Sequence, residues 1–358
     1  MNTNKIRKIS PSNRQLNYCG RIDWEQKEAP LWIFPSTCLS FACVAKKVEI
    51  VITNHSLYFD NYLGVIVNGI EKSILLKNTG EKEIIVLAES LDETEYQILV
   101  FKRQDTCHYL RIHEIRLHGE AKLVEWSPKW MQTNRRIEVY GDSVSAGEVS
   151  EAMGYEGKED PLHQGEYSNA YWSYAFVLAR LLDARIHNIS QGGIALMDRS
   201  GYFLEPNYLG MESVYDKLSI NPVLKEMKKW DFDAYTPQVV LVALGQNDNH
   251  PFDYMAHDIE CESAKRWRKR YKSFVLGIRE KYPRATIILM TTILEHSLKW
   301  DESIKRVCDL LKDPNIHYFA FSQTGCGTKG HIRVSEAVEM AHELYNYLQQ
   351  LNLFRDCE

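Results

Sequence analysis

The stretch Arg136–Gly147, RIEVYGDSVSAG, decides the fold. Ile137-Glu-Val-Tyr140 is a short run of β-branched and aromatic residues, and it breaks at Gly141-Asp142-Ser143 into small residues suited to a helical turn. A strand that turns this sharply into a helix carries its first helical residue at the strand tip. Gly141 permits the turn, and Ser143 then projects with its backbone N–H free, because the first N–H groups of a helix have no partner within it. A nucleophile would stand there.

The pattern repeats downstream. Apolar runs at Ile137–Tyr140, Arg185–Ile189, Gln238–Leu244, Thr286–Thr292 and Ile316–Phe321 alternate with helical stretches at Tyr171–Leu182, Asn221–Lys229, Cys261–Tyr282, Ser303–Leu311 and Ser335–Leu351. Alternation of this kind predicts a parallel sheet covered by helices on both faces. Upstream of residue 125 the character differs. Lys47–Thr53, Tyr62–Val67, Ile70–Leu75, Glu83–Leu87 and Glu95–Phe101 read as strands, with Asn68-Gly69 as a tight hairpin turn and no helical period before Pro128. An all-β sandwich over residues 1–126 is expected, followed by an α/β domain over 127–358, with Ser127-Pro-Lys-Trp130 as connector.

Bulk properties exclude several functions. A chain of 358 residues with 44% hydrophobic residues can bury two cores, while a net charge of −5 and no long Lys/Arg run leave no footprint for nucleic acid or an anionic membrane. No stretch approaches the ~18 consecutive apolar residues of a membrane span, and the opening MNTNKIRKISPSN lacks the apolar segment of a signal peptide. A cytoplasmic location is expected. The eight cysteines (19, 38, 43, 107, 261, 308, 326 and 357) show neither C-x-x-C pairs nor zinc spacing and read as reduced and structural. No metal site is expected.

In an open parallel sheet, ligands bind beyond the carboxyl ends of the strands, so the residues following each strand are the candidates. Besides Ser143, these are Gly192-Gly193, whose backbone can approach a substrate closely; Asn247, an amide donor with Asp248 beside it; and His331, delivered by the loop Gly325-Cys-Gly-Thr-Lys-Gly to the start of the last helix. Each block alone reads equally as an ordinary turn. Together they supply nucleophile, base and oxyanion donors at one sheet edge. Trp300, in the segment after the fourth strand, and the polar loop Gly147–Asn169 with Tyr155, His163 and Tyr167 are candidates for stacking on a sugar.

Gly141-Asp142-Ser143, Gly193, Gly245-x-Asn247-Asp248 and His331 resemble, in order, the four motif blocks of the SGNH (GDSL-type) hydrolases. The front half, with Gly20-Arg21-x-Asp23 and the Val65–Gly69 hairpin, and the segment Trp230-Asp-Phe-Asp-x-Tyr-x-Pro237 narrow the resemblance to family 2 of the carbohydrate esterases. That resemblance implies an α/β SGNH-hydrolase fold, flavodoxin-like with three layers, preceded by a jelly-roll sandwich. It also implies no metal, no cofactor and an acetylated oligosaccharide as partner, deacetylated at a 6-O or another position of a manno- or xylo-oligosaccharide. Carried over by position, Ser143 is the nucleophile, His331 the general base, and the Ser143 N–H, the Gly193 N–H and the Asn247 amide form the oxyanion hole, with Gly192 as the rival of Gly193. Trp300 and Asp248 are the substrate-binding candidates. The aspartate that many SGNH enzymes place two or three residues before the histidine is replaced by Thr328 and Lys329. A Ser–His dyad, its ring held by a backbone carbonyl of the 324–328 loop, is therefore expected, with a carboxylate from elsewhere in the chain as the alternative. A lipase or thioesterase on longer acyl esters, and a non-catalytic carbohydrate-binding protein, stay open as alternatives, as does the oligomeric state.

Overall fold

The structure, a computed structural model, describes residues 5–224, 227–290, 297–322 and 329–354. Ten strands form its front part: β1 (Ile6–Ile9), β2 (Asn17–Cys19), β3 (Ile22–Asp23), β4 (Leu31–Trp32), β5 (Cys38–Ser56), β6 (Tyr62–Val67), β7 (Ile70–Leu75), β8 (Lys82–Lys102), β9 (His108–His118) and β10 (Lys122–Val124). They pair antiparallel in one continuous sheet, ordered β3-β4-β9-β5-β8-β6-β7, with β1 on β9 and both β2 and β10 on β5. The expected sandwich is made by this one sheet curling on itself. Strands β5 and β8 run 19 and 21 residues, and the register between them shifts at Ala45/Lys47 and Val48/Glu49, where bulges bend the pair. The runs Glu83–Leu87 and Glu95–Phe101 are two ends of the single strand β8. Enclosed by the curl are Trp32, Phe41, Ile50, Ile98, Val100 and their neighbours. Asn68 and Gly69, at φ of +50° and +83°, turn β6 into β7 as a tight hairpin requires.

The second sheet contains β11 (Arg136–Gly141), β12 (Arg185–Ser190), β13 (Val239–Ala243), β14 (Thr286–Met290) and β15 (Ile316–Phe319), all parallel in the order β12-β11-β13-β14-β15. Strands in such a sheet are buried on both faces, which is why they read as unbroken apolar runs. Alternate residues feed two cores. Val239 and Leu241 pack with helices α2 (Tyr174–Leu181) and α7 (Val334–Gln350), whereas Val240 and Val242 pack with α5 (Glu262–Lys281) and α6 (Leu298–Leu311). Three short helices, α1 (Ser143–Ala146), α3 (Met211–Val214) and α4 (Tyr254–His257), sit in the loops at the carboxyl edge. The chain leaves β11 for β12 on one side and returns to β13 on the other. The crevice between the ends of β11 and β13 is thus the switch point, where a ligand site is expected.

One expected helix is missing. Asn221 accepts a hydrogen bond from the Val223 N–H at 2.9 Å, a local turn that competes with helix formation, and the Leu218 N–H donates to the Lys228 carbonyl at 2.7 Å. Residues 221–224 and 227–229 are therefore loop; 225–226 lie outside the described residues. The six described cysteines are unbridged; Cys326 and Cys357 lie outside the described residues.

The two sheets are joined through buried polar groups. Arg21, fully buried, donates from Nη1 to the Tyr215 and Lys217 carbonyls, each at 2.8 Å, and places Nη2 3.4 Å from Glu138 of β11. Its guanidinium lies over Trp230, 4.9 Å from the ring centre. Two marks of the resemblance, Gly20-Arg21 and Trp230, are thus one contact across the interface.

Candidate active site

Strand β11 ends at Gly141, where a Cβ would lie 2.1 Å from Ser145 Oγ, so only glycine allows the following turn to close this tightly. Asp142 caps α1 by accepting from the Val144 N–H at 3.0 Å, and burial pushes its carboxyl up to about 6. Ser143 is the first residue of α1 and 6% exposed. It lines a hollow of about 370 Å³ together with Gly193, Asn247 and His331. Four segments that lie far apart in the chain thus meet at one edge of the sheet.

Gly192 and Gly193 differ in what they have left to offer. The Gly192 N–H donates to Asp105 Oδ2 at 3.2 Å, and a Cβ at Gly192 would lie 1.9 Å from Glu148 Oε1. Gly193, at φ +69°, faces the hollow, and its N–H has no acceptor among the described residues. Gly193 is therefore the available donor. Asp105 comes from the front sheet, just beyond β8, and its carboxylate also accepts from Tyr58 Oη at 2.7 Å and Gln191 Nε2 at 2.6 Å. One side chain of the β domain thereby pins the glycine loop of the other domain. Buried Lys102 donates to the carbonyls of Gln104 and Asp105 and holds that turn in place.

Asn247 directs one amide hydrogen to the Ile194 carbonyl at 3.0 Å, which fixes the side chain and leaves the second hydrogen for the hollow. Asp248, expected to bind substrate, is fully buried and accepts from the Leu196 and Met197 N–H groups at 2.8 and 3.2 Å. It braces the loop after β12. Burial lifts its carboxyl from the ordinary 3.8 to about 6, so ionising it costs the folded chain more than the unfolded one. Relative to an Asp248→Asn variant, the native protein is expected to lose up to ~3 kcal/mol of stability as pH rises from about 4 to about 6, and little beyond. Urea unfolding of both proteins across that range checks this. A difference that stays flat or grows with pH refutes it.

Trp300 is corrected as well. It is 3% exposed, lies in the first turn of α6, donates from Nε1 to Asp253 at 3.2 Å and meets Trp267 edge-on at 5.1 Å. Trp300, Ile304 and Val307 form the buried stripe of that helix, so no aromatic face reaches the hollow from it. The exposed rings lie elsewhere. A second hollow of about 220 Å³ shares His331 and Glu148 with the first and is lined by Tyr58, Phe59 and His163. Phe59 and His163 sit 4.7 Å apart, one from the front sheet and one from the 147–169 loop.

The largest departure concerns His331. Its Nδ1 is 2.7 Å from Asp160 Oδ2, and its backbone N–H donates to the same carboxylate at 3.1 Å. The expected dyad gives way to a side-chain carboxylate from a loop 171 residues upstream. The expected carbonyl acceptor segment 324–328 lies outside the described residues. Burial alone would raise Asp160, but hydrogen bonds from His331 and from Arg333, at 2.8 Å, bring it down to about 2. Gly330 makes room: a Cβ there would lie 2.3 Å from Asp160 Oδ1. Glu148 stands on the other side of the ring, its Oε2 3.6 Å from Nε2. Burial first, and then neighbouring Asp105, push Glu148 well above the usual carboxylate range.

Among the described residues, no group of three or more His, Cys, Asp or Glu side chains is arranged to hold a metal ion, and no helix is long and apolar enough to cross a membrane.

Residues 18–126 match the family described as Carbohydrate esterase 2 N-terminal. The chain is 24% identical over 346 residues to the cellulase/esterase CelE of Acetivibrio thermocellus, covering 93% of this chain and 39% of that protein. It thus spans about two fifths of that relative's length. It is 21% identical over 350 residues to the acetylxylan esterase / glucomannan deacetylase of Cellvibrio japonicus, covering 96% of this chain and 90% of that one. Its fold matches a family two carbohydrate esterase from Clostridium thermocellum, solved in complex with cellohexaose, with a TM-score of 0.78 at 22% identity over 94% of this chain and 98% of that one. The front part of the chain thus matches the N-terminal family model of carbohydrate esterase 2, and its whole fold is that of solved family two carbohydrate esterases.

Proposed function

We propose that the protein is a serine esterase that removes O-acetyl groups, at the 6-position or another hydroxyl, from acetylated manno- or xylo-oligosaccharides. The observation that carries this reading is the meeting of Ser143, His331, Gly193 and Asn247 around one hollow, with Asp160 on the far nitrogen of the imidazole. Ser143 Oγ attacks the acetyl carbonyl while His331 takes its proton. The Ser143 and Gly193 N–H groups and the Asn247 amide stabilise the oxyanion, and His331 returns the proton to the departing sugar hydroxyl. Water then cleaves the acetyl-enzyme by the same route.

The lining of the hollow favours a short acyl group. Its walls are Ser143, Glu148, Gly193, Tyr202, Gln246, Asn247, Asn249 and His331, with no aliphatic side chain among the described residues, so a long acyl chain finds no apolar channel. A polyhydroxylated leaving group finds hydrogen-bond partners instead. Tyr58, Phe59 and His163 offer the faces on which a sugar ring stacks, and two of the three belong to the front domain.

Mass spectrometry of acetylated manno- and xylo-oligosaccharides incubated with the protein tests this reading. Loss of acetyl groups is the expected result. Hydrolysis of 4-nitrophenyl butyrate as fast as of the acetate would point instead to a longer-chain esterase. Replacing Asn247 by alanine is expected to lower kcat for the acetate by on the order of 10²–10³-fold, the usual cost of one oxyanion donor, with KM little changed. An effect carried mainly by KM would remove Asn247 from the oxyanion hole.

A further inference from the structure

Beside the reaction hollow, a cavity of about 650 Å³ opens at the same sheet edge. The two share a wall. Tyr202 lines the hollow and stacks on His250, which lines the cavity, with ring centres 4.1 Å apart. The successive residues Asn247 and Asp248 belong to the hollow and the cavity respectively.

Three acids and three arginines line this cavity, but they do not pair one to one. Its acids are engaged: Asp198 accepts from the Gly210 N–H at 2.8 Å and from Ser213 Oγ at 2.6 Å, Glu212 holds Arg270 Nε at 2.6 Å, and Asp248 faces two backbone N–H groups. Arg199 and Arg266 are left. Neither is paired with a carboxylate among the described residues, and Arg266 spends only one N–H, on Ser263 Oγ at 3.3 Å. Ser263, Arg266 and Arg270 recur at i, i+3 and i+7 over the first turns of α5, so the helix lays them along one side of the cavity. Across from them Arg199 holds φ at +71°, a left-handed backbone that a side chain of this size rarely adopts and that the surrounding loop must enforce.

We propose that this cavity is a subsite for a carboxylate-bearing sugar of the same glycan, a uronic acid residue, gripped by Arg199 and Arg266 while the acetyl ester lies in the neighbouring hollow. The inference rests on the esterase reading above and deepens it by naming the class of glycan. Guanidinium groups present paired N–H donors that match a planar carboxylate, and a cavity of this size accommodates one sugar ring.

The test compares two acetylated xylo-oligosaccharides of equal length, one with a single uronic acid branch and one without. In about 50 mM salt, kcat/KM is expected to favour the acidic substrate by tenfold or more, and the ratio to shrink as salt screens the pair. In an Arg199→Ala/Arg266→Ala double variant the ratio is expected to fall towards one. Equal kcat/KM for the two substrates, or a preference that survives the double substitution, overturns the proposal. Binding of the same oligosaccharides to the Ser143→Ala protein, measured by calorimetry, decides the subsite independently of hydrolysis. Tighter binding of the acidic oligosaccharide that depends on the two arginines supports it, and equal binding refutes it. A protein that cleaves no acetate ester yet prefers the acidic oligosaccharide would sink the esterase reading while leaving the subsite standing.

Discussion

Replacing Ser143 by alanine is expected to lower kcat for 4-nitrophenyl acetate by on the order of 10⁴–10⁶-fold while leaving oligosaccharide binding in place. The loss is large because both chemical stages pass through one oxygen. Without Oγ no acetyl-enzyme forms, and His331 has only water to activate. The proposed oxyanion donors survive the change, since the Ser143 and Gly193 N–H groups are backbone and Asn247 is held by the Ile194 carbonyl. A residual rate well above that of water is therefore expected. Folding is not at stake, because α1 is capped by Asp142 and not by the Ser143 hydroxyl. The measurement is a single-turnover comparison of the two proteins, with the acetylated wild-type chain sought by mass spectrometry. A variant within tenfold of the wild type would remove Ser143 from the chemistry and revive the alternative of a carbohydrate-binding protein.

The Asp160→Asn variant is expected to lose about 10²–10⁴-fold in kcat with little change in KM. Asp160 accepts from the Nδ1 side of His331 and so directs the basic lone pair of Nε2 towards the hollow. An amide of the same shape can present its NH₂ to Nδ1 and stabilise the opposite tautomer, which has no base where Ser143 needs one. Because Asp160 sits at about 2, it is ionised throughout the neutral range. Its contribution to stability is present above the unfolded value of 3.8 and is lost as pH falls towards about 2. The substituted amide keeps an oxygen that can accept from Arg333, so a change confined to kcat separates orientation of the imidazole from support of the loop. Activity that survives the substitution would return the backbone-carbonyl arrangement to consideration.

Much of this site was legible before any coordinates. Ser143, Gly193, Asn247 and His331 each follow a strand with a clear apolar run, and in a parallel sheet the strand ends lie at one edge by construction. The choice between Gly192 and Gly193 was not legible, because it depends on Asp105, a residue of the other sheet, claiming one of the two N–H groups. Trp300 was misread for a traceable reason. The helix begins at Leu298 and not at Ser303, and the spacing of Trp300, Ile304 and Val307 already marked the buried face of a helix starting earlier. Asp160 carried no local signal at all. It lies in a polar loop with no periodic pattern, and its pairing with His331 depends on the absence of a side chain at Gly330.

By itself the sequence determined the order of the elements, the sheet edge at which the chemistry gathers and the residue types delivered there, because periodicity and adjacency along the chain are local properties. The tertiary structure decided which carboxylate meets the imidazole, which of the two glycine N–H groups is claimed by Asp105 and which aromatic rings stay exposed. Those outcomes depend on how two sheets, with their own cores, pack against each other through groups such as Arg21, Glu138 and Asp105. Contacts between residues a hundred or more positions apart are settled by that packing, and no short window of sequence contains it.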